Sequence, residues 1–435
     1  TGSIKPGRAP ANAPRGSLAM KPRRGINLFP WFSLTRERPA PATDYDWPPF
    51  QIGRPVPTQR DLDQIKAVGF DHVRIPFDPG PFLAASPQRR ARLVSDLMRA
   101  VDTCLATGLK VVVANLPNTA THHWNPFRFV DGVAQPAFRD LTGLLVEIGA
   151  GLDRRPADQV ALELFNEPPL ECGSLLWPEL QRRLHQSVRR AAPGLTLVVT
   201  GACGSLPVGL ADFDLNRLDD PNTLITVHYY EPYVFTHQGA VWADPPALRY
   251  LSGMPWPGDP ARARDALAPA LVRLEGDFTI DAAERRRRRA DLERMVREYA
   301  EGNPSTGYLM PFIEHIRAFK DRHGLTPERI YVGEFGVVRT QFDGQAADPA
   351  DRRRWTAEVR QLLEAEGFGW GYWNYFDRMG LVVDDNSRAL DLELVSALGL
   401  AVPAGTPAAG KAPDAKAKPR PKPRPTASRS SAGGT

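Results

Sequence analysis

The sequence predicts an α/β chain closed into a (β/α)8 barrel, and three observations predict it. Short β-rich apolar runs alternate with longer amphipathic segments along most of the chain, the pattern of parallel strands joined by crossover helices. There are eight such runs, which favours closure over an open doubly wound sheet. No glycine-rich phosphate loop follows any of them, which weakens the nucleotide-binding alternatives.

In chain order, strand Arg24–Leu28 leads to helical periodicity over Thr58–Val68, and His72–Phe77 leads to Gln88–Thr107. Lys110–Leu116 precedes Ala137–Leu152, and Val160–Phe165 precedes Leu176–Ala191. Thr196–Gly201 and Thr223–Tyr229 follow as the fifth and sixth strands. Helical segments Met310–His323 and Pro349–Glu366 then flank the seventh strand, Arg329–Gly333, and the eighth is Gly369–Tyr375. About ninety to a hundred residues separate the sixth strand from the seventh, far more than an ordinary connection. That segment leaves the end of the barrel where such folds carry their chemistry, so it is expected to wall or cover a cleft. Its run Arg285–Arg289 reads as the solvated face of an exposed helix.

Residues 1–20 are rich in Ala, Pro, Gly and Arg without apolar periodicity, and read as a flexible arm before a barrel domain over 21–403. Residues 404–435 form a basic tail rich in Pro, Ala and Lys that buries too little apolar surface to order itself. The tail reads as a solubilising linker remnant, with weak polyanion contact as the alternative. From Gly410 onward it holds seven basic residues and one acid, so the net charge of +5 becomes about −1 without it. The body is near neutral, and no nucleic-acid partner is expected.

With 42% hydrophobic and 24% charged residues the composition is that of an ordinary globular chain. No apolar stretch reaches the roughly 18 residues that a membrane helix needs. The chain opens on Thr1 rather than methionine, which reads as a processed form from which any secretory signal is already gone. Cys104, Cys172 and Cys203 are too few for a disulfide scaffold. Three reduced, mostly buried thiols are the expectation, with one bridge and a spare thiol as the alternative. Neither their number nor their spacing suggests a metal site.

The candidate chemistry lies at strand ends. Glu167 closes ALELFNEPP and Glu334 closes IYVGEFG. A carboxylate that follows residues buried on both faces points into a cleft. Two such carboxylates facing each other supply a general acid and a nucleophile. Asn166 beside Glu167 is placed to hold a sugar 2-hydroxyl, and Gly333 and Gly336 around Glu334 are expected to let a substrate approach. Arg74, in HVRIP, can hold a carboxylate ionised. His228 and Tyr230, two apart in VHYY, share a side of their strand. Tyr230 can donate to the nucleophile, and His228 can tune either glutamate. Trp373, in WGYWNYFD, offers a flat apolar floor for a sugar ring. Trp31 and Trp242 are candidate sugar platforms, and His237 and Gln238 either contact substrate or brace their loop.

The ordered set Arg74, Asn166-Glu167, His228-x-Tyr230, Glu334, Trp373 resembles glycoside hydrolase family 5, the cellulase-like retaining barrels, over about Gly25 to Asp377. The resemblance implies Glu167 as acid/base, Glu334 as nucleophile and the other five as supporting residues, with no cofactor or metal. It implies a polysaccharide or oligosaccharide substrate, first an endo-cut β-1,4-glucan through a covalent glycosyl-enzyme. A β-mannanase, an exo-β-1,3- or β-1,6-glucanase, and a non-catalytic glycan-binding barrel are the alternatives. Because β-glucans lie outside the cytoplasm, a secreted or periplasmic protein is expected. One departure stands out. Where the family usually ends its third strand with a histidine, this chain has Leu116 or Pro117, and Asn118, His122 or His123 is the expected substitute.

Overall fold

Strands covered on both faces must be apolar along their whole length, and the eight runs are buried almost throughout. The computed structural model describes residues 17–51, 53–341 and 344–402. Its barrel strands are β1 (Arg24–Asn27), β2 (His72–Phe77), β3 (Lys110–Asn115), β4 (Val160–Glu163), β5 (Thr196–Thr200), β6 (Thr223–Tyr229), β7 (Ile330–Phe335) and β8 (Gly369–Tyr372). All neighbours are parallel, and the ring closes in the order β1-β8-β7-β6-β5-β4-β3-β2. Each strand starts within a residue of its expected position. The ends move: β4 and β8 stop earlier, whereas β7 runs on to Phe335 and takes Glu334 into the sheet.

The outer layer is built from helices α1 (Gln59–Val68), α2 (Pro87–Ala106), α3 (Pro136–Leu152), α4 (Leu176–Ala191), α5 (Ala282–Gly302), α6 (Thr306–Arg322) and α7 (Pro349–Ala365). Local chemistry sets their ends. Thr58 and Asp61 cap α1 reciprocally, and Gly69 closes it at φ 106°, a left-handed conformation that glycine adopts without a Cβ penalty. After β5 there are only two short 3₁₀ turns, Pro207–Leu210 and Leu215–Arg217.

The lower barrel interior is an apolar layer of Val112, Ala161, Val198, Leu224 and Tyr331, plugged from below by Leu18 and Met20. The Met20 N–H donates to Thr196 Oγ1 at 3.0 Å. The expected arm over 1–20 is therefore too long, because its last residues belong to the barrel floor. The rest of that arm (1–16) and the basic tail (404–435) lie outside the described residues.

Two further features differ from expectation. A hairpin of Thr35–Glu37 against Tyr45–Phe50 rises between β1 and α1; it was not anticipated, because its strands are short and YDWPPF is broken by two prolines. Cys172 and Cys203 form a disulfide, and only Cys104 is left as a buried free thiol, its pKa pushed up to about 12 by burial. Three reduced cysteines is thus corrected to one bridge and a spare: the loops after β4 and β5 bring together residues 31 apart.

In the long β6–β7 connection, the arginine run sits on α5 and is paired: Arg287 and Arg288 with Glu284, Arg285 and Arg289 with Glu275. Gln238 braces this segment by bonding Phe235 O, Met254 O and the Met254 N–H. No helix among the described residues is long and apolar enough to cross a membrane.

Candidate active site

Above the apolar floor the barrel turns polar around Arg74, which is fully buried at the middle of β2. A guanidinium has five N–H donors and no acceptor, and all five are used. Nε and Nη2 form a fork on Glu163 at 2.8 Å each, Nη1 reaches Glu334 Oε1 at 2.7 Å and Asn27 Oδ1 at 2.9 Å, and Nη2 also reaches Asn166 Oδ1 at 2.7 Å. The two carboxylates outweigh the penalty of burial and hold Arg74 firmly charged. Because Arg74 can only donate, Asn166 must turn its oxygen toward it, which leaves the amide nitrogen as the end available to a ligand.

Glu334 owes its direction to a register shift. Along β7, Tyr331 faces the barrel interior and Val332 the surrounding core, so strict alternation would send Glu334 outward with Val332. The pairing with β6 runs Val227–Val332 and then His228–Glu334, skipping Gly333. The extra residue re-aims the glutamate, as bulges beside functional sites do. Gly333 is required there, since a Cβ would lie 2.8 Å from Thr226 Oγ1 and 3.5 Å from His228 Nε2. A Cβ on Gly336 would come within 2.2 Å of Trp373 O. The two glycines thus make room for protein neighbours and not, as expected, for substrate.

Both Glu334 oxygens hold donors: Oε1 takes Arg74, and Oε2 takes the Tyr230 hydroxyl at 2.9 Å. Burial pushes the Glu334 pKa above the ordinary carboxylate range, while His228 and Arg74 pull it back down. Burial and Glu334 raise Tyr230 far above its usual value, so it stays a donor.

Glu167 lies past the end of β4 in a left-handed backbone conformation, φ 46°. Its N–H donates to Ser205 Oγ at 3.2 Å, and its carboxylate oxygen Oε1 lies 2.6 Å from His228 Nδ1. The Glu167 side chain is 43% exposed, against 6% for Glu334. His228 bridges the pair, with Glu334 Oε2 at 3.4 Å. Burial lowers the His228 pKa, but Glu334 and Glu167 together outweigh it and the net shift is upward. One oxygen from each glutamate and a ring nitrogen of His228 all lie within 4.8 Å of one another. These are also metal-ligand types, but each Glu334 oxygen is already engaged by a donor.

Trp373 is half-buried, with its ring 5.1 Å from Phe29. Trp31 is half-buried against Phe32 at 5.5 Å, and Trp242 is 51% exposed in the β6–β7 connection. His237 stacks on Tyr233 at 3.9 Å and meets the edge of Tyr230 at 4.9 Å; burial lowers its pKa to about 3, so it is neutral. The His122 ring turns to the hairpin, and the His123 ring meets the edge of Trp124 at 4.7 Å. His122 Nδ1 lies 3.0 Å from Glu37, the His123 N–H donates to Glu37 at 3.1 Å, and Asn118 Nδ2 donates to Thr35 at 3.3 Å.

Three participants escaped the sequence reading. Glu163 is half of the Arg74 fork, Asn27 ties Arg74 to Gly333 O and Tyr372 O, and Ser205 holds the Glu167 backbone. Glu163 did leave a signal, as the one charge inside the apolar run VALEL; a charge is rarely buried unless it is paired.

The model of the cellulase family (glycosyl hydrolase family 5) matches residues 37–287, which includes Glu167 and ends before β7. Endoglucanase C of Acetivibrio thermocellus is 25% identical over 357 residues, spanning 78% of this chain and 90% of that relative. Cellodextrinase A of Ruminococcus flavefaciens is 29% identical over 232 residues, 50% of this chain and 61% of the relative. Among solved structures, Cel5A of Thermotoga maritima in complex with cellobiose superposes with a TM-score of 0.60 at 21% identity, over 86% of this chain and 97% of that one. At that identity the likeness carries the barrel fold.

Proposed function

Because the chain belongs to the cellulase family, glycosyl hydrolase family 5, and is thereby a retaining O-glycoside hydrolase, we propose that it cuts β-1,4-glucan chains internally by double displacement. The observation that carries this reading is the approach of Glu167 and Glu334, with an oxygen of each inside the 4.8 Å cluster around His228. Retention uses carboxyl groups about 5 Å apart; inversion needs about 6.5–9.5 Å, to leave room for a water between them.

Glu334 attacks the anomeric carbon, since Arg74 and Tyr230 fix both its oxygens and favour the anion. Glu167 gives its proton to the departing glycosidic oxygen, then takes one from the water that opens the glycosyl-enzyme. Its exposure gives that water access to the carboxylate. Asn166 holds the 2-hydroxyl through its amide nitrogen, and Trp373 floors the ring at the cleavage point, with Trp31 and Trp242 as outlying platforms. The endo-β-1,4 assignment draws on Endoglucanase C, which covers most of this chain. Polymeric glucan lies outside the cytoplasm, so the proposal carries with it a secreted or periplasmic site of action.

The test is reducing-sugar release from carboxymethylcellulose, mixed-linkage glucan, laminarin, pustulan and mannan, with Glu334→Gln in parallel. Release from the first two, absent in the variant, is expected. Release confined to laminarin, pustulan or mannan would overturn the linkage, and an active Glu334→Gln would overturn the mechanism.

A further inference from the structure

Outside the carboxylate pair, a dense set of contacts without a role joins the connections that follow β4 and β5. Three successive residues of the second connection, Cys203, Gly204 and Ser205, have φ of 49°, 66° and 59°. Residues with a Cβ avoid that left-handed region, and a turn built from it persists only where its surroundings fix it. Four links fix this one. The Cys203 N–H donates to Leu170 O at 2.9 Å, the Gly204 N–H donates to Pro168 O at 3.0 Å, and Ser205 O accepts from the His228 N–H at 2.9 Å. The fourth link is the disulfide to Cys172. Every one of them ends on the loop that carries Glu167 or on the histidine that bonds it.

A fifth contact reaches Glu167 itself. Ser205 is fully buried, and its Oγ accepts the Glu167 N–H at 3.2 Å. Glu167 also has a left-handed backbone, sits beyond the end of its strand and has an exposed side chain. A carboxyl in that setting has no sheet to hold it in place. We infer that Ser205, held by the Cys203–Ser205 turn and the Cys172–Cys203 bridge, is a positioning residue for the acid/base glutamate. It anchors the backbone from which the carboxyl reaches the leaving oxygen, while His228 anchors the carboxyl itself. The inference rests on the assignment of Glu167 as acid/base.

A positioning role has a signature that general damage to the fold lacks: dependence on the leaving group. A cellotetraose bond needs a proton to break, whereas dinitrophenolate departs from 2,4-dinitrophenyl β-cellobioside without one. Comparing kcat/KM on both substrates, which reports the first bond cleavage, isolates the acid. Ser205→Ala is expected to lose about tenfold on cellotetraose, the scale of a small misplacement of a reacting group, and less than about twofold on the aryl substrate. Cys172→Ser combined with Cys203→Ser is expected to show the same split at about threefold, and it carries the test if Ser205→Ala fails to fold. Equal losses on both substrates, or no loss on either, would overturn the inference. Glu167→Gln is run alongside. If it lacks the split, the acid/base assignment fails, a result distinct from failure of the turn.

Discussion

The two strand ends that carry the proposed catalytic carboxylates are built in opposite ways. Glu334 lies within β7, is 6% exposed, and has its oxygens held by Arg74 from the middle of β2 and by Tyr230 just past β6. Glu167 lies beyond β4, is 43% exposed, and depends on His228 and Ser205 from neighbouring elements. The contrast fits the proposed chemistry. A nucleophile must be immobile and ionised, which suits a buried oxygen pair facing a guanidinium; an acid that cycles its proton needs access to water. The β7 end is held by the sheet, and the β4 end by hydrogen bonds and one disulfide between loops.

The sharpest way to break this comparison is to remove each carboxylate in turn. Glu334→Gln should lose about 10⁴-fold or more in kcat on every substrate, as removal of a nucleophile does. Glu167→Gln should lose heavily on cellulosic substrate but keep cleavage of activated aryl glycosides. Steady-state kinetics on both substrates check this, and equal losses in the two variants would erase the distinction.

Stability comes next. Arg74→Met leaves Glu163 buried without a counter-charge and Glu334 with His228 alone beside it, and should destabilise by about 3–5 kcal/mol, the range for breaking a buried ion pair. On the other side, removing the Cys172–Cys203 bridge, which closes a loop of 31 residues, should cost about 4 kcal/mol by loop entropy. Denaturant melts of the two variants would measure both, and a loss below about 1 kcal/mol in either would contradict the account.

The smallest expected effect is a shift of a pH limb. Burial puts Glu334 above the usual carboxylate pKa, so the acidic limb of kcat/KM should fall above the ordinary value of about 4.3. His228 is a charge that pulls Glu334 down, so His228→Asn should move the limb to still higher pH. A downward movement in the pH–rate profile would show that His228 does not carry positive charge beside the pair.

The contrast between the two ends also decides what could be read from sequence. Strand starts, the ring of eight and the grouping of Arg74, Asn166, Glu167, His228, Tyr230 and Glu334 were legible, because apolar runs and the polar residues they carry are local. The bulge at Gly333 was not, since it exists only in the pairing of β7 with β6. Nor was the bridge, which joins two loops that only barrel closure brings together. His122 or His123 was expected to stand in for the third-strand histidine, but the unforeseen hairpin presents Glu37, which takes the His122 ring and the His123 backbone N–H. Gly333 and Gly336 were recognised as necessary, but for the wrong neighbour.

The central claim is that Glu334 forms the covalent bond and Glu167 does not. Incubation with 2,4-dinitrophenyl 2-deoxy-2-fluoro-β-cellobioside, followed by mass mapping of peptides, tests it directly. One fluorosugar per chain, on the peptide carrying Glu334 and absent from Glu334→Gln, is the predicted result. An adduct on Glu167, or no adduct from an enzyme shown to cleave the parent aryl cellobioside, would contradict it.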